Sequence, residues 1–320
     1  MVHSNRLHSS AAVVLGALIG MSSLIAAANA DSDKEPAVRS EMLVSTEWLT
    51  KHLDDPKVVV LHIAKERQLY DAGHIPGARF VAWNELTATR DGVPNELPPV
   101  ADLQKLFERL GVGDEARLIL YGDMSGLFAA RAYFTLDYLG HGQRAALLDG
   151  GIEKWKAEKQ PVSTEAPSVK PSRFMPRVHP DVVIGLDVTR DLSWVAANIE
   201  KSPHALIDAR PEEEYTGDKM GEDVLRGGHI PGAANIFWMQ HLVSKNNPVM
   251  RPAIELRRLY ETAGAEPSGK VITYCRTGGQ ASHAYFTAKY LGYDVAMYDG
   301  SFIEWSKATG TPVTKGLQRK

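Results

Sequence analysis

Cysteine is almost absent from this sequence, because Cys275 is the only one among 320 residues. The chain cannot form an internal disulfide, so a fold held together by a disulfide framework is excluded. A single thiol is either a buried structural residue, as most free cysteines are, or a residue with a chemical role. The sequence around it distinguishes these two interpretations.

The sequence also carries little net charge. The formal value is −3, so the chain has no general electrostatic attraction to nucleic acid or to an anionic membrane, and we exclude both as partners. Its hydrophobic fraction of 44% and charged fraction of 23% are typical of a globular protein. A chain of this length predicts two domains.

A long apolar run occurs near the start of the chain. Arg6 precedes the apolar residues 11–19, and the small residues 28–30 offer a cleavage site. This pattern predicts a signal peptide over residues 1–30, hence export, and a periplasmic location if the source is a Gram-negative bacterium. An uncleaved membrane anchor is the alternative, since residues 11–28 approach the roughly 20 residues that span a bilayer. After cleavage we expect no membrane association.

Cys275 stands where a strand should pass into a helix. Residues 270–274 are apolar and β-branched, residues 275–280 are rich in glycine, and residues 281–291 have helical spacing that ends at Gly292. A structural cysteine in a core has no need of such a polar loop. The pattern therefore favours a reactive thiol.

The loop residues suit an anion at the sulfur. A loop that opens a helix turns backbone N–H groups toward its centre, which favours negative charge there. Gly278 and Gly279 allow the backbone to turn tightly, and Arg276 adds positive charge. We expect the pKa of the Cys275 thiol to be lowered and the thiol to act as a nucleophile.

The chain repeats itself with an offset of about 150 residues. The pentapeptide His-Ile-Pro-Gly-Ala occurs at residues 74–78 and again at residues 229–233, and an Asp-Gly pair followed by a tryptophan ends each copy. The copies are therefore whole domains, over residues 40–160 and 181–316. Residues 161–180 contain five prolines and are predicted to be an extended linker.

Each copy alternates apolar strands with amphipathic helices. This alternation predicts an α/β fold in which a parallel sheet is covered by helices on both faces. Ligands then bind beyond the carboxyl ends of the strands. Cys275 follows a strand directly and meets that condition.

In the order and duplication of these motifs, with Asp208-Ala209-Arg210 and the Cys275 loop, the sequence resembles the rhodanese family of sulfurtransferases, in particular the tandem-domain thiosulfate and 3-mercaptopyruvate type. The resemblance implies two rhodanese-like domains, an inactive first copy, and sulfur transfer through a Cys275 persulfide. It implies a small anionic sulfur donor and a thiophilic acceptor as partners, with no cofactor and no metal.

The resemblance also implies roles for further residues. The rest of the loop is expected to bind substrate through Arg276, Thr277, Gly278, Gly279 and Gln280. Asp208 and Arg210 are expected to pair and to support the loop without touching substrate. His229 is interpreted as structural, because the copy without a cysteine has the same pentapeptide.

Three features depart from the family. Glu214 stands where these enzymes usually have a basic residue, and Gln280 ends the loop where a small or basic residue is common. The second copy also has a longer segment at residues 216–228, whose Arg226 we expect to supply anion-binding charge. Glu214 and Arg226 are therefore candidates for substrate binding and for the choice of donor.

The first copy lacks the thiol. Counted back from the shared helix, Asp123 matches Cys275, and we interpret it as a solvated loop carboxylate or a helix cap.

Two other functions compete with sulfur transfer. One is a phosphatase or arsenate reductase, which usually needs an arginine six residues after the cysteine, where this chain has Ala281. The other is a binding module without catalysis.

Overall fold

The structure is a computed structural model, and it describes residue 1, residues 35–198 and residues 202–319. The predicted signal peptide lies outside the described residues apart from Met1. No helix in the described part of the chain is long and apolar enough to cross a membrane.

The first half of the chain alternates strands and helices from residue 43 to residue 157. Its strands are β1 (Leu43–Val44), β2 (Val58–Ala64), β3 (Arg79–Ala82), β4 (Ala88–Arg90), β5 (Val93–Glu96), β6 (Arg117–Gly122) and β7 (Ala145–Leu148). Its helices are α1 (Thr46–His52), α2 (Arg67–Asp71), α3 (Val100–Arg109), α4 (Leu127–Tyr138) and α5 (Gly151–Ala157).

The second half repeats this order from residue 183 to residue 307. Its strands are β8 (Val183–Ile184), β9 (His204–Asp208), β10 (Ala234–Asn235), β11 (Leu242–Ser244), β12 (Asn247–Met250), β13 (Lys270–Tyr274) and β14 (Asp294–Tyr298). Its helices are α6 (Leu186–Asn198), α7 (Glu212–Thr216), α8 (Ala253–Thr262), α9 (Gly279–Tyr290) and α10 (Ser301–Lys307). Between the halves, residues 164–179 contain no helix or strand.

Each half forms a five-stranded sheet in which every neighbouring pair is parallel. The strand order is β1-β7-β6-β2-β3 in the first half and, in equivalent positions, β8-β14-β13-β9-β10 in the second. The predicted fold class is confirmed. β6 and β13 are the central strands, so the chain leaves the middle of each sheet at its carboxyl edge.

Helices cover both faces of each sheet because side chains alternate along the buried strands. On β2, Val59 and Leu61 belong to a core shared by the two halves, whereas Val60 belongs to a separate core with Trp155. Trp305 occupies the equivalent separate core of the second half. Each indole is fully buried and donates to a proline carbonyl, which is typical of a tryptophan that packs in a core.

The shared core joins the halves through α4 and α9. Phe134 meets Tyr285 edge to face with ring centroids 5.0 Å apart, and Tyr133 meets Phe286 in the same geometry at 5.0 Å. These rings occupy equivalent positions in the two copies, so the halves pack about an approximate two-fold axis. Each such buried aromatic side chain contributes about 1.5–3 kcal/mol to the association.

Each half also has an antiparallel β-hairpin, β4–β5 in the first half and β11–β12 in the second, and each hairpin contacts the other half. Leu97, just after β5, donates its N–H to Asp299 Oδ2 (2.7 Å), and Met250, at the end of β12, donates its N–H to Asp149 Oδ1 (2.9 Å). Both aspartates follow the strand next to the central one. The hairpin of the first half therefore lies against the carboxyl edge of the second sheet.

Candidate active site

The cysteine loop, residues 275–280, begins directly after the central strand β13 and ends in the first turn of α9. Gly278 caps that helix in the left-handed region, at φ 88°. Its N–H donates to Cys275 Sγ (3.1 Å), and the amides of Thr277 and Ala281 also favour negative charge on the sulfur. The sequence thus builds a ring of N–H donors around one thiol.

Cys275 is nearly inaccessible, with 1% of its surface exposed. Burial raises the pKa of its thiol, since removal from water disfavours the thiolate, and the nearby Asp208 carboxylate acts in the same direction. The loop amides lower the pKa but do not overcome burial. The expectation of a lowered thiol pKa is therefore wrong for this conformation, because it took account of the donors and omitted desolvation.

Asp208 and Arg210 form a buried, forked ion pair beside the loop. Arg210 Nη2 lies 2.6 Å from Asp208 Oδ2, and Arg210 Nε lies 2.9 Å from Oδ1. The guanidinium also donates to the Gly228 carbonyl and stacks 4.0 Å from the Phe302 ring centroid. Phe302 donates its N–H to the Cys275 carbonyl (2.9 Å). The predicted ion pair is present. It supports the cysteine loop indirectly, because Arg210 stacks on Phe302 and Phe302 is hydrogen-bonded to Cys275.

Arg276 and Glu214 meet near the segment 217–228. A Cβ atom added to Gly221 would lie 2.6 Å from Arg276 Cδ and 3.2 Å from Glu214 Oε2. Glu214 Oε2 is buried and has no hydrogen-bond partner among the described residues. Glu214 therefore directs one carboxylate oxygen inward, close to the loop arginine.

Arg226 lies elsewhere. Its guanidinium donates to the carbonyl oxygens of Trp305 (2.7 Å) and Ser306 (2.8 Å) in the last turn of α10, and to Thr311 Oγ1 (2.6 Å). The carbonyls of Trp305 and Ser306 are among the terminal carbonyls that a helix leaves without partners, and a cation there also suits the helix dipole. The expectation that Arg226 binds the donor is corrected: it caps a helix.

The first half supplies one side of the loop. Asn95 Nδ2 donates to Thr277 Oγ1 (3.1 Å), and the Trp83 ring lies 3.5 Å from where a Cβ of Gly279 would stand. Gln280 is partly exposed in the first turn of α9. The first half therefore forms one side of the candidate site, through residues that the sequence reasoning did not identify.

Arg131 is a further contact that the sequence reasoning missed. It is fully buried on α4 and pairs with Asp299 across the interface (2.7 Å). A signal was present, since Arg131 is the only charged residue between Leu127 and Leu136 in an otherwise apolar helix. A charge in such a stretch indicates a buried partner.

The loop of the first half is one residue longer. Tyr121 and Tyr274 are equivalent, because the hydroxyl of each accepts a hydrogen bond from the isoleucine N–H of the pentapeptide. Gly126 and Gly278 are equivalent, because each caps the helix that follows. Four residues lie between the tyrosine and the glycine in the first half, and three in the second. Asp123 therefore matches Cys275 only when counted from the helix.

Asp123 is neither solvated nor a helix cap. Its side chain is 19% exposed, its Oδ1 lies 3.6 Å from His62 Nε2, and the cap of α4 makes no side-chain hydrogen bond. This largely buried contact with His62 corrects the interpretation from the sequence.

The two pentapeptide histidines are structural, as predicted. His74 and His229 each stack on a tyrosine ring at 3.7 Å, and both ring nitrogens of each lie next to backbone carbonyl oxygens. In the described part of the chain, no group of three His, Cys, Asp or Glu side chains could hold a metal ion.

Comparison with known proteins matches this geometry to one family. The model for the rhodanese-like domain matches residues 45–158 and 191–308. The sulfur carrier protein TtuD of Thermus thermophilus is 38% identical over 287 residues, which cover 86% of this chain and 97% of that protein. A thiosulfate sulfurtransferase of Corynebacterium glutamicum is 33% identical, covering 89% of this chain and 94% of that protein.

Solved structures share the fold at lower identity. The anaerobic ergothioneine biosynthesis enzyme from Chlorobium limicola, in complex with trimethyl histidine, superposes with a TM-score of 0.74 at 23% identity, covering 87% of this chain and 71% of that chain.

Proposed function

The chain belongs to the rhodanese-like domain family, with one copy in each half, and from this we propose that it is a sulfurtransferase that carries sulfur as a persulfide on Cys275. The observation that carries the proposal is the position of the thiol. Cys275 Sγ lies inside a ring of backbone amides at the carboxyl end of the central strand, whereas the first half has no thiol there. The names of the relatives from Thermus and Corynebacterium support the same activity.

The first step transfers sulfur to the enzyme. With thiosulfate as donor, the Cys275 thiolate attacks the outer sulfur, a new S–S bond forms, and sulfite leaves with the electron pair of the old one. The terminal sulfur of the persulfide then carries the negative charge. The N–H groups of Gly278, Thr277 and Ala281 are placed to stabilise that charge, as an oxyanion hole does for oxygen.

The second step returns the enzyme to its thiolate form. A thiophilic acceptor such as cyanide attacks the outer sulfur, a C–S bond forms, and the persulfide S–S bond breaks with its electron pair remaining on Cys275. Thiocyanate is then the product. No cofactor is required for this ping-pong cycle.

We propose that the donor is thiosulfate or 3-mercaptopyruvate, with Arg276 attracting its anionic end and Glu214 opposing it. Thiosulfate is a dianion and 3-mercaptopyruvate a monoanion, so the Glu214 carboxylate favours the second donor.

We also propose export to the periplasm of a Gram-negative source, from the pattern of residues 1–30.

Cyanolysis tests the proposal. We expect wild-type protein to form thiocyanate from at least one of the two donors in a ping-pong pattern, and Cys275→Ser to form none while its circular dichroism is unchanged. Persistent activity in Cys275→Ser would reject the proposed nucleophile. A phosphatase is not favoured, since Ala281 occupies the position of the phosphate-clamping arginine.

A further inference from the structure

A buried ion pair between the halves touches the cysteine loop. Arg131, on α4 of the first half, is 0% exposed and donates from Nη1 to Asp299 Oδ1 (2.7 Å). Asp299 is 4% exposed, and its other oxygen accepts the Leu97 N–H (2.7 Å). Both oxygens of this carboxylate are therefore held by the half of the molecule that has no cysteine.

The Arg131–Asp299 ion pair packs against Gly278. A Cβ atom on that residue would lie 3.1 Å from Arg131 Nη1 and 3.1 Å from Asp299 Oδ1. The N–H of the same glycine donates to Cys275 Sγ (3.1 Å). The guanidinium thus contacts the residue whose amide reaches the sulfur.

The guanidinium of Arg131 makes few hydrogen bonds besides its ion pair with Asp299. Its Nη2 is buried without a hydrogen-bond partner among the described residues, and its Nε makes only a long contact of 3.4 Å with the Leu86 carbonyl. Interactions between charges are strong where water is excluded. A thiolate or persulfide anion at Cys275 therefore lies near a fixed cation and a fixed anion, which act on it in opposite directions.

We propose that Arg131 is a positioning residue for sulfur transfer: together with Asp299 it holds Gly278 with its N–H directed at Cys275 Sγ, and its charge favours the anionic forms of that sulfur. This inference rests on the proposed function. It gives the first half, which has no thiol, a defined part in the reaction at the second.

The test compares substitutions at the pair with a matched control. Arg131→Gln removes the cation, and Asp299→Asn removes the anion. The control is Lys289→Gln, because Lys289 Nζ on α9 pairs with Asp137 Oδ2 on α4 (2.7 Å), so this ion pair also joins the two halves but lies at the end of α9 away from the loop. The readout is ultraviolet absorbance of the thiolate against pH, with Cys275→Ser subtracted, alongside kcat and KM for the donor.

Opposite shifts are expected at the two members of the pair. Arg131→Gln should move the midpoint of thiolate formation to higher pH by about one unit, and Asp299→Asn should move it to lower pH by a similar amount. Both should lower kcat about tenfold or more, with KM changed by less than about threefold, because the transition state depends on the loop geometry. Lys289→Gln should lower thermal stability and leave the midpoint in place.

A structural role alone would not move the midpoint in opposite directions. The proposal is overturned if both substituted proteins titrate like wild type and Lys289→Gln. If Arg131→Gln does not fold, Asp299→Asn provides the test by itself, and an unshifted midpoint there also overturns the proposal. The titration reports thiolate whether or not sulfur moves, so a wild type that titrates but forms no persulfide would reject the proposed function separately.

Discussion

Glu214 is the residue through which we propose that the charge beside Arg276 selects the donor. Its Oε2 is buried and unpaired in the described structure, within a few ångströms of the loop arginine. The sequence showed only that an acidic residue replaces the usual basic one. The inward direction of the Glu214 side chain could not be predicted, because it depends on the path of residues 217–228.

Replacing Glu214 with arginine should raise kcat/KM for thiosulfate more than tenfold. The substitution changes the local charge by two, which near a partly buried anion is worth at least about 1.4 kcal/mol. The gain should be smaller for 3-mercaptopyruvate and should shrink with added salt, since exposed charges are screened over about 10 Å at 0.1 M.

Glu213→Arg is the control for that measurement. Glu213 lies on the same short helix, α7, and carries the same charge, but its side chain is 52% exposed and pairs with Lys219. Equal thiosulfate kinetics in Glu214→Arg and Glu213→Arg at low salt would mean that long-range charge, and not the position of Glu214, controls the donor.

The turn from β13 into α9 depends on one glycine. A substitution at Gly278 meets two penalties, since φ 88° is unfavourable for any residue with a Cβ and that Cβ would approach the Arg131–Asp299 pair. Gly126 has the same role and a φ of 84° at the start of α4, with no atom within 4 Å of an added Cβ.

Gly278→Ala should therefore lower kcat about tenfold or more, because the amide that faces Cys275 moves with its backbone. Gly126→Ala should cost about 1–2 kcal/mol of stability from backbone strain and leave kcat unchanged. Urea denaturation and steady-state kinetics on both variants separate the effects. A normal kcat in Gly278→Ala would show that the loop tolerates displacement of that donor.

Helix α9 also carries a buried histidine. Burial lowers the pKa of His283 to about 4 and that of its neighbour His241 well below the ordinary value, with the two Nδ1 atoms 3.2 Å apart. Both are neutral in the folded protein at pH 7. Because their pKa values are depressed, the stability that they contribute is complete above about pH 6.5 and is lost as the pH falls toward 4.

His283→Gln should flatten the pH dependence of the unfolding free energy between pH 6.5 and 4. Each such histidine contributes a slope of up to about 1.4 kcal/mol per pH unit there. The slope is measured by urea denaturation at several pH values, with His52→Gln at the partly exposed end of α1 as control. An unchanged slope in His283→Gln would mean that other groups cause the acid sensitivity.

For the molecule as a whole, the sequence predicted the features that arise within each copy but not the contacts between the copies. Alternation and duplication gave two parallel sheets, and the glycine-rich loop after β13 located the thiol. The contacts of Trp83, Asn95 and Arg131 with the cysteine loop depend on how the halves pack, which no local pattern encodes. Arg226 was misassigned for a related reason, since charge alone does not distinguish a ligand from a helix cap.

Export is a prediction for the whole chain. The basic, apolar and small-residue order of residues 1–30 predicts a mature protein that begins near Asp31. N-terminal sequencing of protein from fractionated cells of the source organism measures this. We expect an exported protein whose first residue is near Asp31, found in the periplasm if the source is a Gram-negative bacterium. A cytoplasmic protein with intact Met1 would contradict this.

The most direct measurement is the intact mass of the protein after incubation with thiosulfate or 3-mercaptopyruvate. Because Cys275 is the only thiol, a persulfide adds the mass of one sulfur atom at a single possible cysteine. We predict that gain in the wild type, its removal by cyanide with release of thiocyanate, and its absence in Cys275→Ser. A folded wild-type protein that gains no sulfur from either donor, or a Cys275→Ser variant that does, would contradict transfer through Cys275.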